Sequence, residues 1–411
     1  MVTGGERAVA RCDILGVAPY SDMEGGLYRG YLAPAHRAAL DRTSHWMTEA
    51  GMAVRLDPAA NLIGRYEGGV PGAPALLIGS HIDSVRDAGR YDGPLGIMLG
   101  IEAVDALHCA GRRLPFPIEV VAFGDEEGSR FPAAMLTSRA MAGTLDAAAL
   151  DMADGEGVAL ADAGVDIAAY LSAARAPGAT LAYLEAHIEQ GPVLEAQGLA
   201  VGTVTGIAAQ LRYRISLTGM AGHAGTTSMP LRRDALAGAA EAMLAIEGIA
   251  REDGSDLVAT VGRIEALPGA ANVIPGEARF TLDVRSGDEA RRNRAAKAML
   301  DAVAAIADRR ELDFAMERIH DLPASPCDAA LMNLMDAAIA DAGHPPFRLV
   351  SGAGHDAMVM ASLCPTAMLF IRCKLGISHN PAEHVDPADA DIALRAMLGF
   401  MEKLGENFDR A

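Results

Sequence analysis

Two short apolar runs, Ala75–Ile78 and Ile118–Phe123, each stop abruptly on polar residues of one chemical kind. The first leads into Gly79-Ser80-His81-Ile82-Asp83, with Asp92-Gly93 close behind, and the second into Asp125-Glu126-Glu127-Gly128. Runs of this length and composition read as buried strands. In an open α/β sheet, sites assemble at the carboxyl ends of such strands. A histidine, an isolated aspartate and a glutamate pair placed there supply the imidazole and carboxylate ligands that suit a borderline divalent metal. The pattern predicts a metal-dependent hydrolase.

The rest of the chain supports an α/β frame. A helical pattern from Ala35 to Met52 is followed by a strand, a turn at Asp57–Asn61 and another strand. Strand and helix then alternate: Ala75–Ser80, Leu95–Ala110, Ile118–Gly124, Met135–Ala142, a helix at Asp166–Arg175 and a strand at Leu181–Ile188. Such alternation indicates a mostly parallel sheet flanked by helices. Near Gly206 the texture changes. Strand Arg212–Thr218, helix Pro230–Ala250, strands Leu257–Glu265 and Ala278–Arg285, helix Asp288–Arg309 and strand Asp313–Ile319 follow the split βαβ order of a two-layer α+β unit. The expected organisation is a catalytic domain over 1–207 and 323–411, with an α+β domain inserted at 208–322. After Pro323 the α/β texture resumes with a helix at Asp328–Gly343, a strand at Thr366–Ile371 and a closing helix at Pro387–Phe408.

Composition narrows the partners. At roughly 100–200 residues per domain, 411 residues suit two domains, and 51% hydrophobic against 22% charged residues predicts a packed core rather than disorder. With 35 Lys and Arg against 54 Asp and Glu, a formal charge of −19 argues against nucleic acid or an anionic membrane and for a small substrate. An anionic substrate remains compatible, because one well-placed arginine decides local recognition. The five cysteines are scattered and form no Cys-x-x-Cys pair, so they read as free thiols in a reducing compartment. With no basic-then-apolar leader and no run of about 18 apolar residues, the expectation is a cytoplasmic protein.

An isolated His81-x-Asp83 is more often a surface pair than a metal site. Two further histidines at strand ends change that reading: His187 in Leu184-Glu185-Ala186-His187-Ile188-Glu189-Gln190-Gly191, and His379 in Ser378-His379-Asn380-Pro381-Ala382-Glu383. Asp83 is spaced to hold the His81 tautomer from behind. Asp92, in a turn, has one oxygen for each of two cations. Glu126 and Glu127 directly follow a buried strand, where uncompensated charge costs several kcal/mol, so one can bind metal while the other moves protons.

Together these segments resemble the hydantoinase and carbamoylase branch of the binuclear metallopeptidase superfamily that also holds aminoacylases and carboxypeptidases. The stretches Gly79–Asp83, Gly89–Gly96, Asp125–Phe131, His187–Pro192, Gly222–Thr226 and Ser378–Glu383 match in order. The resemblance implies two divalent ions per subunit, zinc or manganese, with cobalt or nickel also suited to such ligands. His81 and His187 would hold one ion, Glu127 and His379 the other, and Asp92 would bridge them, with Glu126 as general base. It implies further that the inserted domain pairs two subunits into a homodimer and presents His223 to the partner's metal site as an oxyanion donor. Gln190, Asn272 and Arg285 match the family's substrate contacts, Arg285 as the clamp for a carboxylate. Gly354, in Ser351-Gly352-Ala353-Gly354-His355-Asp356, would let backbone approach the substrate. Two departures fall outside these positions: Ser228 stands where proline is usual, and Thr137 where glycine is usual.

The implied reaction is hydrolysis of a linear carbon–nitrogen bond in a ureido acid. Allantoate comes first, on Arg130-Phe131-Pro132, then N-carbamoyl-L-amino acids, then ureidoglycolate. A metal-dependent peptidase fits the metals but not the His187-Ile188-Glu189-Gln190-Gly191 segment. A binding protein that kept the fold and lost the chemistry would not need all five ligands and Glu126.

Overall fold

The computed structural model describes residues 2–408 and divides into two units. The first runs to Thr205 and takes in Cys327–Leu349 and the chain from Ala353; the second is Gly206–Pro326 with Val350–Gly352.

The first unit is an α/β layer structure. Its sheet follows the order Ala53–Leu56, Leu62–Tyr66, Ile118–Phe123, Ala75–His81, Thr180–Ile188, Thr366–Ile371, Val201–Ile207. The interior pairs are parallel: Ala75–His81 lies between Ile118–Phe123 and Thr180–Ile188, and Thr180–Ile188 continues to Thr366–Ile371. The flanking pairs are antiparallel, so the sheet is mixed rather than mostly parallel. The reason is local for one edge: the short turn at Asp57–Asn61 can join only antiparallel neighbours. Asp57 builds that turn by accepting from the amides of Ala59 and Asn61, both at 2.9 Å.

Helix Pro94–Cys109 is apolar on nearly every side and buried from Pro94 to Val104, as expected of an element enclosed on all faces. Its one buried acid, Glu102, is paired by Arg7 and by Arg11, the latter at 2.8 Å. Both arginines belong to an unforeseen N-terminal helix, Gly4–Leu15, opened by a capping box in which Thr3 Oγ1 accepts from Glu6 N and Glu6 accepts from Thr3 N. The expected helix at Asp166–Arg175 is a single turn, Ile167–Tyr170, continued as 3-10 through Ala173.

The second unit packs helices Ala235–Asp253 and Glu289–Arg309 on one antiparallel sheet, ordered Ile264–Leu267, Glu277–Ser286, Ala209–Thr218, Asp313–Leu322. Its core joins Ile215, Leu217, Phe280 and Leu282 from the strands to Ala239, Met299 and Val303 from the helices. The expected single strand Leu257–Glu265 is two, Val258–Thr260 and Ile264–Leu267, broken around Gly262. Among the described residues no helix is long and apolar enough to cross a membrane.

Candidate metal centre

Parallel pairing brings His81 and His187 together. They close neighbouring strands, and their rings stack 5.6 Å apart with the Nε2 atoms separated by 3.4 Å. His187 Nδ1 lies 2.9 Å from the carbonyl of Ile188. A backbone carbonyl only accepts, so Nδ1 carries the proton and Nε2 presents its lone pair to the cluster. His81 Nδ1 is turned the same way, toward the Asp83 carbonyl at 3.2 Å and its carboxylate at 3.4 Å. Asp83 also accepts from the amides of Glu126 at 3.1 Å and Glu127 at 3.2 Å. One buried carboxylate thereby orients an imidazole and fixes the turn that carries both glutamates.

Asp92 stands between two groups of donors. Its Oδ1 is 3.1 Å from His187 Nε2 and 3.7 Å from His81 Nε2, while Oδ2 is 3.1 Å from His379 Nε2. His379 Nε2 is in turn 3.4 Å from Glu127 Oε1. The clusters His81–Asp92–His187 and Asp92–Glu127–His379 each keep their ligand atoms within 4.8 Å of one another, and so does His81–Glu126–Glu127. Gly93, at φ 83°, closes the turn; a Cβ there would sit 2.5 Å from the His81 ring. Gln190 Nε2 and Ser378 Oγ donate to Asp92 Oδ2 at 2.9 and 2.7 Å. Gln190 and His379 both hold left-handed backbone, at φ 56° and 52°, strain of the kind that persists at functional sites.

The donor set fits divalent cations. Asp92 Oδ1 is buried without a hydrogen-bond donor and faces the lone pair of His187. Two atoms bound to one tetrahedral zinc at about 2.0–2.2 Å lie about 3.3–3.6 Å apart, close to the observed separations. Protonation tells the same story. Burial opposes charge on His81, yet Asp83 and Asp92 outweigh it and raise its pKa well above the ordinary value; the Asp92 contact raises His379 to about 9. Burial and the nearby Asp92 push Glu127 up to about 7, against the pull of His81. Burial also raises Glu126 well above the usual carboxylate range. The cluster gathers more negative charge than it can bury alone, which is the deficit a cation offsets.

Glu126, Gln190 and Gly354 line the same cavity, of about 220 Å³, as the five presumptive ligands. A Cβ at Gly354 would come within 2.9 Å of the Met135 methyl and 3.9 Å of Glu126 Oε1, so glycine keeps that wall open. Thr137, the departure from glycine, is buried and its hydroxyl accepts from Gly124 N at 2.9 Å, securing the strand end just before Asp125.

His223, Asn272 and Arg285 belong to the second unit. His223 is exposed on a two-residue strand whose partner is Val273–Ile274. Its Nδ1 accepts from Gly225 N at 3.0 Å, which leaves Nε2 as the donor. The Asn272 carbonyl accepts from Ala224 N at 2.9 Å, tying the two loops together. Arg285 lines a cavity of about 510 Å³ with Arg212, Asp283 and Gly352. Its Nε and Nη2 grip Asp283 at 2.8 and 2.9 Å, and Nη1 donates to the Gly352 carbonyl at 2.6 Å.

Comparison with known proteins gives these residues a context. Residues 77–403 match the sequence profile of peptidase family M20/M25/M40. The chain is 42% identical to an N-carbamoyl-L-amino acid amidohydrolase of Geobacillus stearothermophilus, over 98% of this chain and 99% of that one. It is 40% identical to allantoate deiminase 1 of Glycine max, over 97% and 89%. Among solved structures, an amidase of the hydantoinase/carbamoylase family from Burkholderia multivorans is 35% identical over 97% of both chains, with a TM-score of 0.90.

Proposed function

The chain belongs to peptidase family M20/M25/M40, and from that premise we propose that it is a metal-dependent amidohydrolase which cleaves a linear carbon–nitrogen bond of a ureido acid. The observation that carries the reading is Asp92, whose two oxygens address two separate ligand groups 3.1 Å away on either side. In this reading His81 and His187 hold one divalent ion, Glu127 and His379 the other, and Asp92 both. Cations held there would supply Lewis-acid polarisation of the ureido carbonyl and a lowered pKa for the attacking water. Glu126 would take the proton from that water and return it to the departing nitrogen. Asp83 holds Glu126 and His81 in register throughout. Gln190, fixed on Asp92, is placed to contact the substrate's ureido end.

Arg285 is the proposed clamp for the substrate carboxylate, and Asn272 a further substrate contact. Three of the five N–H groups of Arg285 are engaged by Asp283 and Gly352, so Asp283 fixes the fork in one orientation and the remaining groups meet the substrate. Lysine cannot reproduce that fork. Arg285→Lys should raise KM about tenfold or more, equivalent to about 1.4 kcal/mol, with a smaller change in kcat. An unchanged KM would remove the clamp.

We further propose a homodimer formed through the second unit, with His223 serving the partner's metal centre. Support comes from Met229 and Leu231, two residues apart in that unit and 73% and 72% exposed, apolar side chains that a second copy would cover.

Allantoate is the first substrate, and N-carbamoyl-L-amino acids are the second reading, favoured by the near full-length match to the Geobacillus enzyme. Both present a carboxylate and a ureido carbonyl. The deciding experiment is an ammonia-release assay on allantoate, several N-carbamoyl-L-amino acids and ureidoglycolate, with protein stripped by chelator and reloaded with manganese or zinc. Stripping should abolish turnover and reloading restore it. Protein that holds two metals yet releases ammonia from none of these compounds refutes the proposal; cleavage of dipeptides instead would make it a peptidase.

A further inference from the structure

We infer that Glu383 is a positioning residue that fastens the Asp92 loop to the His379 loop and thereby governs occupancy of one of the two cation positions. The inference rests on the two-cation reading above. Glu383 is 5% exposed and stands four residues beyond His379. Its Oε1 accepts from the amides of Tyr91 at 2.7 Å and Asp92 at 3.1 Å. Its Oε2 lies 3.2 Å from Ser378 Oγ, the hydroxyl that also meets Asp92 Oδ2 at 2.7 Å. The space is reserved for this carboxylate: a Cβ on Gly89 would fall 2.1 Å from Glu383 Cδ. The Glu383 amide donates to the Asn380 carbonyl at 3.0 Å, so the whole turn from Ser378 to Glu383 is folded on itself while His379 is held at φ 52°.

Glu383 is absent from the candidate ligand clusters of the described residues, and its Oε1 is committed to two backbone amides. Its effect must therefore pass through Asp92 and His379. The two cation positions depend on it unequally. His81 and His187 close two directly paired strands and keep their spacing without help from a loop. The other position draws Asp92 and His379 from two loops that Glu383 binds together, and only Glu127 reaches it from elsewhere. Without the carboxylate, the Asp92–His379 separation is no longer enforced, and the loss falls on that position.

The test is metal content under a competing chelator, read as ions per subunit with manganese and with zinc, for the wild type, Glu383→Ala and Glu383→Gln. The wild type should hold two ions. Glu383→Ala should bind the Glu127–His379 ion roughly 10- to 100-fold more weakly and the His81–His187 ion, which shares Asp92, with a clearly smaller loss, turnover recovering as manganese is added in excess. Glu383→Gln should fall between, because its amide oxygen still accepts from the Tyr91 and Asp92 amides; it also decides the matter if the alanine variant does not fold. Variants that hold two ions as tightly as the wild type, or that lose both in step, overturn the inference. A wild type that takes up fewer than two ions instead overturns the two-cation reading, a distinct result from the same titration.

Discussion

Exchanging Glu126 for Gln should lower kcat by roughly 10²- to 10⁴-fold while both cations stay bound. Glutamine preserves the shape of the side chain, and the Glu126 amide keeps its bond to Asp83 at 3.1 Å, so the turn survives. What disappears is the capacity to accept a proton. Glu127 is the control: its Oε1 faces His379 Nε2 at 3.4 Å, and Glu127→Gln should lose metal as well as turnover. The control matters because ligand atoms of His81, Glu126 and Glu127 also lie within 4.8 Å of one another. Metal analysis beside steady-state kinetics separates ligand from base. Retained turnover in Glu126→Gln removes it from the base role, and loss of an ion from Glu126→Gln makes it a ligand.

The cluster was legible because most of its members come from one kind of place. His81, the Glu126-Glu127 pair and His187 follow apolar runs, and a run that ends on metal-binding residues marks both a strand and its carboxyl edge, whereas Asp92 and His379 sit on loops. The second unit was legible as an element order, since alternation in Arg212–Thr218 and long Ala-rich helices are local signals. Other features had no local signal. Ser378 and Glu383 act on Asp92 from 286 and 291 residues away, through amides and a hydroxyl rather than any periodic pattern. The left-handed backbone of Gln190 and His379 is imposed by tertiary packing, for neither residue type demands it. The Gly4–Leu15 helix does carry a local signature, the capping box of Thr3 and Glu6. Asp283, two residues before Arg285 on the same strand face, could likewise have been read from the period of two.

His223→Ala should lower kcat by roughly 10²- to 10³-fold, the cost of removing one preorganised oxyanion donor, and leave metal content unchanged. His223 is exposed, and its ring is fixed by Gly225 N donating to Nδ1, which leaves Nε2–H as the free donor. A donor so presented has no effect until something brings it to developing negative charge. The proposed agent is the second copy, and this makes a prediction that a single-subunit mechanism cannot share. Glu126→Gln subunits lack the base but carry His223; His223→Ala subunits carry the base but lack the donor. A mixed dimer that exchanges donors across its interface contains one site with both groups intact. Equal co-expression with random pairing should then recover about one quarter of wild-type activity, whereas each variant alone stays near its own low level. No recovery in verified mixed dimers means that His223 serves its own subunit. An unchanged kcat in His223→Ala removes the donor role altogether, and with it the reason for catalysis to require a pair of subunits.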